Sequence, residues 1–119
     1  MPLERKKTGN SVIIFLPATI DMVLSAAIEK ELNIIFREDS ESSFVMNLKN
    51  VNVISSSGLR IFITARRKLR ESNREIVICS VEDEGVMETF KAAKLMDIFK
   101  IFKTEEQALE YLRGKVSSP

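Results

Sequence analysis

Apolar residues recur along this chain in two rhythms, and the switches between them mark out the elements. Val12-Ile13-Ile14-Phe15-Leu16 is an unbroken apolar run, the pattern of a strand covered on both faces. Ahead of it, Leu3 to Lys6 can form a short edge strand that turns at Thr8-Gly9-Asn10 and makes a hairpin with the run. Beyond Pro17, Asp21 can cap a helix, and Leu24, Ile28, Leu32 and Ile35 follow at helical spacing. Ala27 and Phe36 widen that stripe, so a helix is predicted over 22–37. After the polar stretch Glu38 to Ser43, Phe44, Met46 and Leu48 alternate with Val45 and Asn47 at the period of a strand.

The second half repeats the alternation of strand and helix. A connector from Asn50 to Ile54 leads to the run Ser55-Ser56-Ser57-Gly58, after which Leu59, Phe62, Ala65 or Arg66, and Leu69 mark a helix ending near Ser72-Asn73. Ile76 to Val81 reads as a strand. Glu82, Asp83 and Glu84 fall where a new helix begins, their charge meeting the positive end of its dipole, and Val86, Phe90 and Ala93 supply its stripe. Ile98, Phe99, Ile101 and Phe102 suggest a last short strand. Thr104-Glu105-Glu106-Gln107 has the spacing of a capping box, and Ala108, Leu109 and Leu112 make the final helix amphipathic. Gly114 suits a left-handed C-terminal cap, with a frayed tail from about Lys115 to Pro119. Right-handed crossovers would gather these elements into an α/β fold, a mixed four- to five-stranded sheet with about four helices packed against it.

Length and composition narrow what such a fold can do. The 119 residues fit one domain spanning 1–119, and 45% hydrophobic with 29% charged residues is ordinary globular composition. Eighteen basic against 17 acidic residues leave a net charge of +1, so no global field draws the chain to nucleic acid or an anionic membrane. The N-terminus has no apolar stretch of signal-peptide length, which makes the cytoplasm the expected compartment. With no histidine and a single cysteine, Cys79, the chain lacks the residues for Ser-His-Asp or Cys-His catalysis and for His/Cys zinc sites. Cys79 lies in an apolar run and reads as a small core residue. Four glycines in total, in none of the phosphate-binding or nucleophile-elbow spacings, argue against an enzyme or a nucleotide-binding loop. No cofactor is expected.

The candidate chemistry lies in Ser55-Ser56-Ser57-Gly58. Between a strand and a helix, serine hydroxyls are good caps, and the same position attracts anions through free amides and the helix dipole. Local sequence alone favours the cap. The segment Met46-Asn47-Leu48-Lys49-Asn50-Val51-Asn52-Val53-Ile54-Ser55-Ser56-Ser57-Gly58-Leu59 resembles the signature of bacterial anti-sigma factor antagonists, the STAS-domain family, in which Asp-Ser-Ser/Thr-Gly-Leu opens a helix. The likeness runs on through Ile76 to Cys79, Val86, Phe90, Leu95 and Glu105 to Leu109. Element order agrees from about residue 3 to residue 113.

That resemblance implies a function. The family's phosphorylated serine corresponds to Ser56, with Ser57 as the neighbouring hydroxyl. Ser55 stands where the family has aspartate, and of the family's Gly-Glu-Leu-Asp turn, matched by Ala18 to Asp21, only Asp21 is kept. The implied role is an anti-sigma factor antagonist that binds an anti-sigma factor serine kinase when unphosphorylated and is switched off at Ser56, with a phosphatase reversing the step. The implied partner surface comprises Asp21, Ile54, Ser55, Ser57, Gly58 and Arg60. Asp21 also reads as an N-cap, and Ile54 reads first as a core anchor. The alternative keeps the fold and drops the switch: a constitutive scaffold or regulatory subunit of a larger complex. Arg60, Arg66, Arg67, Lys68, Arg70 and Arg74 crowd the helix after the serines; a solvated face is the plain reading and an acidic docking surface the specific one. Without interleaved aromatic residues, the patch does not point to nucleic acid.

Overall fold

The computed structural model describes residues 2–116. Its elements, in order, are β1 (Glu4–Thr8), β2 (Ser11–Phe15), β3 (Thr19–Ile20), α1 (Met22–Glu38), β4 (Ser43–Asn47), β5 (Val53–Ile54), α2 (Ser56–Arg70), β6 (Ile76–Cys79), α3 (Glu84–Ala92), β7 (Ile101–Phe102) and α4 (Glu105–Val116). A 3-10 turn over Leu95–Asp97 follows α3. Five strands form one mixed sheet in the order β1-β2-β4-β6-β7, with β1 antiparallel to β2 and the remaining neighbours parallel. The β1–β2 hairpin closes through Gly9 and Asn10, and Gly9 takes the positive φ of +60° that such tight turns demand.

The unbroken apolar character of β2, β4 and β6 arises because each strand is covered on both faces. Val12, Ile14, Phe44, Met46, Ile76 and Ile78 point to the larger core, where α1, α2 and α3 pack. Ile13, Val45, Val77 and Cys79 point the other way, against Ala108 and Leu112 of α4. Ile13 pairs with Val45 and Val45 with Val77 in register, so a straight row of side chains lies beneath α4. Edge-to-face aromatic pairs tie the layers: Phe36 to Phe44 at 4.8 Å between centroids, and Phe62 to Phe90 at 5.8 Å.

Polar groups fasten the ends of these layers. Buried Asn47 donates from Nδ2 to Glu105 Oε2 at 2.7 Å and accepts the Lys49 amide at Oδ1, joining the end of β4 to the start of α4. The Gln107 amide donates to Thr104 Oγ1, while Gln107 Oε1 accepts the amide of Lys103, a capping box shifted back by one residue. Glu38 and Asp39 sit at the negative end of the α1 dipole, where carboxylates are unwelcome. Arg5 pairs with both and Lys7 with Asp39, so β1 supplies the missing positive charge.

Several expectations from the pattern need correction. Ala27 and Ala93 lie on exposed faces, because alanine carries too little apolar surface to draw a helix around. Ile98 and Phe99 are not in a strand: Lys94 turns left-handed at φ 60°, the 3-10 turn drives Leu95 and Phe99 into the core, and β7 shrinks to two residues. Gly114 lies inside α4 and is not a left-handed cap. The proposed tail is helical to Val116, and residues 117–119 lie outside the described residues. Arg74 belongs to no basic helix face. Its guanidinium donates to the carbonyls of Phe36 and Asp39 and to Ser72 Oγ, and desolvation there holds its pKa below the usual arginine value.

Gly58 sets how closely α2 approaches β3. A Cβ there would lie 2.5 Å from the Ile20 carbonyl oxygen and 2.7 Å from its Cγ2. Gly58→Ala therefore pits a gain in helix propensity of up to about 1 kcal/mol against overpacking of about 1–3 kcal/mol. Because one crowded atom is backbone, net destabilisation is expected, read as a lower urea midpoint at an unchanged slope. Burial pushes the Cys79 thiol above its ordinary pKa. The native state then keeps a proton that the unfolded chain releases, so the thiol's contribution to stability is full below the unfolded pKa and is lost as pH rises through the folded one. We expect Cys79 to react with a thiol reagent at the rate of opening, and Cys79→Ala to flatten the alkaline fall in stability.

Candidate functional site

The serine run sits where two segments of chain, 34 residues apart, are pulled together by a second, two-stranded sheet. Thr19 and Ile20 of β3 pair in parallel with Val53 and Ile54 of β5. Ala18 accepts the amides of Asn52 and Val53 at its carbonyl, and Ile20 accepts that of Ser55 at 2.9 Å. Each strand then runs straight into a helix: β3 through Asp21 into α1, β5 through Ser55 into α2. Two helix N-termini therefore open side by side at one end of the molecule.

Each start has its own cap. Asp21 Oδ1 accepts the Leu24 amide at 3.0 Å, and Ser55 Oγ accepts the Gly58 amide at 3.2 Å. Ser55 is held in an extended conformation, φ −99° and ψ 172°, and its hydroxyl reaches the Ile20 carbonyl only at the long distance of 3.5 Å. Serine thus performs the capping that aspartate performs at the neighbouring helix, without its charge. Ile54 is half-buried and packs against the larger core, while Gly58 is buried.

The remaining residues face outward. Ser56 is the first residue of α2 and is exposed, and its hydroxyl has no hydrogen-bond partner among the described residues. Half-buried Ser57 and exposed Arg60 line a shallow groove of about 220 Å³ between α2 and α1, with Ser25, Ala26 and Glu29 on the other wall. Arg60 lies four residues beyond Ser56, one turn along the same helix face. The six residues singled out around Ser56 are thus all at this end of the fold; they divide into caps and anchors (Asp21, Ile54, Ser55, Gly58) and outward-facing groups (Ser57, Arg60).

Sequence patterning missed the apolar part of this surface. Met22 and Val23 are 75% and 81% exposed, and Val53 is 49% exposed. The signal was present: Met22 and Val23 are out of phase with the stripe of Leu24, Ile28, Leu32 and Ile35. The short strands β3 and β5 were missed as well, because two-residue strands carry no periodicity. Among the described residues, no helix is long and apolar enough to cross a membrane.

Comparison with known proteins agrees with this architecture. The chain is similar to the Bordetella bronchiseptica protein BtrV, a candidate anti-sigma factor antagonist, with 27% identity over 108 residues and 91% of each chain covered. The solved anti-sigma factor antagonist from Mycobacterium paratuberculosis has the same fold at a TM-score of 0.80 and 21% identity, covering 93% of this chain and 92% of its own. The Bacillus cell fate determinant SpoIIAA, solved in its phosphorylated form, superposes at a TM-score of 0.69 with 16% identity, over 92% of this chain and 98% of its own. The family description STAS domain matches residues 2–108. With four helices around a five-stranded mixed sheet and that match over most of its length, this chain belongs to the STAS domain family.

Proposed function

We propose that this protein is an anti-sigma factor antagonist, a binding regulator and not a catalyst, whose unphosphorylated form captures an anti-sigma factor serine kinase and whose Ser56 accepts the phosphate that ends the interaction. The observation that carries this reading is the placement of Ser56: an outward hydroxyl at a helix N-terminus, beside exposed Met22, Val23 and Val53. An apolar patch next to a modifiable hydroxyl suits a switchable protein interface. The likeness to BtrV points to the same partner class. SpoIIAA is solved in both phosphorylated and unphosphorylated forms, which supports a fold that carries the charge without collapsing.

The physics of the switch follows from the site. Phosphate on Ser56 would bring about −1.5 to −2 units of charge to the positive end of the α2 dipole, with Arg60 one turn away. The fold therefore tolerates it. A docked partner does not, because the dianion would be desolvated against an apolar surface and would compete for Arg60. The cost falls on the complex. In this reading a phosphatase restores the binding form.

Ser55 favours a second reading. Where the family signature carries aspartate, this chain has an uncharged cap, which satisfies the helix but offers a kinase no negative charge beside the acceptor. A constitutive scaffold or regulatory subunit would need only the cap. Incubation with a cognate kinase and ATP, followed by mass spectrometric mapping, separates the two: binding without modification of Ser56 favours the scaffold.

Ser56→Ala is expected to keep its melting temperature within about 2 °C, since exposed substitutions cost little, and to bind the kinase constitutively. Ser56→Asp should fold equally well and bind at least tenfold more weakly by calorimetry. Equal binding by both variants would contradict the switch.

A further inference from the structure

We propose that the groove between α1 and α2 seats an acidic amphipathic helix of a protein partner. This goes beyond the serine switch: the groove runs away from Ser56, and the inference holds whether or not Ser56 is modified. The first observation is the shape of the surface. α1 and α2 pack side by side over the larger core. The shallow groove of about 220 Å³ beside Ser57 continues into a second one of about 400 Å³ farther along α1, since Ala26 and Glu29 line both. Lys30, Asn33, Ile34 and Arg37 complete the second. There Lys68 Nζ donates to Asn33 Oδ1 at 2.9 Å, so α2 reaches across to α1 on the solvent side. From Ala26 to Arg37 the α1 wall is about 17 Å long, roughly three turns of helix.

The second observation is the charge along it. Lys30, Arg37 and Arg60 in the lining and Lys68 at the rim form no ion pair among the described residues. Against these four cations the lining holds one carboxylate, Glu29, a surplus of three. The apolar contribution is exposed Ala26 and half-buried Ile34, with Ile63 of α2 40% exposed. A helix lying in the groove would press an aliphatic stripe onto Ala26 and Ile34. Its two flanks would send carboxylates to Lys30 and Arg37 on one side and to Arg60 and Lys68 on the other. Opposite Glu29 it needs an uncharged donor such as glutamine. Shape and chemistry disfavour other polyanions. A bilayer surface is flat and would meet only the rims of the groove, while a nucleic acid would bring phosphate onto Glu29 and find no aromatic side chain in the lining to stack on.

The test is titration of isotopically labelled protein, at low salt, with a tagged, lactam-bridged helical peptide of about four turns that carries leucine and alanine on one face and glutamate on both flanks. Anisotropy should show binding about tenfold tighter than for the same peptide with lysine in place of glutamate, or for one of the same composition with its faces scrambled, and added salt should weaken it. Amide shifts should fall in residues 26–37 and 57–68. The double change Lys30→Glu, Arg37→Glu, at two exposed side chains, should weaken binding about tenfold. If that variant loses its native spectrum, Arg37→Gln, expected to weaken binding severalfold, takes its place. Glu29→Gln should tighten binding severalfold, which a loss of structure would not do. No kinase enters the titration, so its failure would leave the Ser56 reading standing. Equal affinity for the lysine or scrambled peptides, undiminished binding by the charge-reversed variant, or shifts outside α1 and α2 would overturn the proposal. So would capture by phosphatidylserine vesicles without peptide binding, or self-association of the chain that the same charge reversal abolishes.

Discussion

One carbonyl oxygen organises the functional end of this molecule. Ile20 O accepts the Ser55 amide and lies where a side chain on residue 58 would have to go. The first contact fixes β5 beside β3, and the second forbids anything but glycine without pushing α2 away. The Ser55 cap, the outward direction of Ser56 and the groove beside Ser57 all follow from that close approach. Glycine here serves proximity, not backbone freedom, since Gly58 has no unusual φ.

The sheet behind it supplies rigidity by being sealed on both faces. Three central strands with side chains in register leave little room for α2 or α4 to shift, so the serine end is presented from a stiff platform. The two faces are unequal: three helices cover one and α4 alone covers the other, with Cys79 part of the thinner layer. The raised pKa of the cysteine thiol is thus a packing property.

Charge is nearly balanced over the chain yet sorted by place. In the basic edge strand β1, Arg5 and Lys7 pair with the acidic end of α1 and Lys6 with Glu105 of α4. Arg74, counted by sequence with the basic helix, is spent on carbonyls of Phe36 and Asp39. Arg66 and Arg70 form no ion pair among the described residues, and Arg60 lies a turn from Ser56, so both ends of α2 carry cations that the described fold does not use. A net charge of +1 conceals that division.

The elements with periodicity were legible in the chain itself: the hairpin, the long helices, β4 and β6, and the caps at Asp21, Ser55 and Thr104, because burial on one face or two writes directly into residue order. Recognition of the serine signature also came from residues close in sequence. What escaped had no local signature. The two-residue strands β3 and β5 exist only through each other, 34 positions apart, and the exposure of Ala27 depended on which helix faces the neighbours left uncovered, whereas Met22 and Val23 already stood out of phase with the α1 stripe. The ending of α3 turned on Lys94 adopting a left-handed conformation so that Leu95 and Phe99 could reach the core. Local order therefore determined what each segment would become, while tertiary packing decided which of its surfaces met solvent, since exposure is a property of neighbours that no segment carries alone.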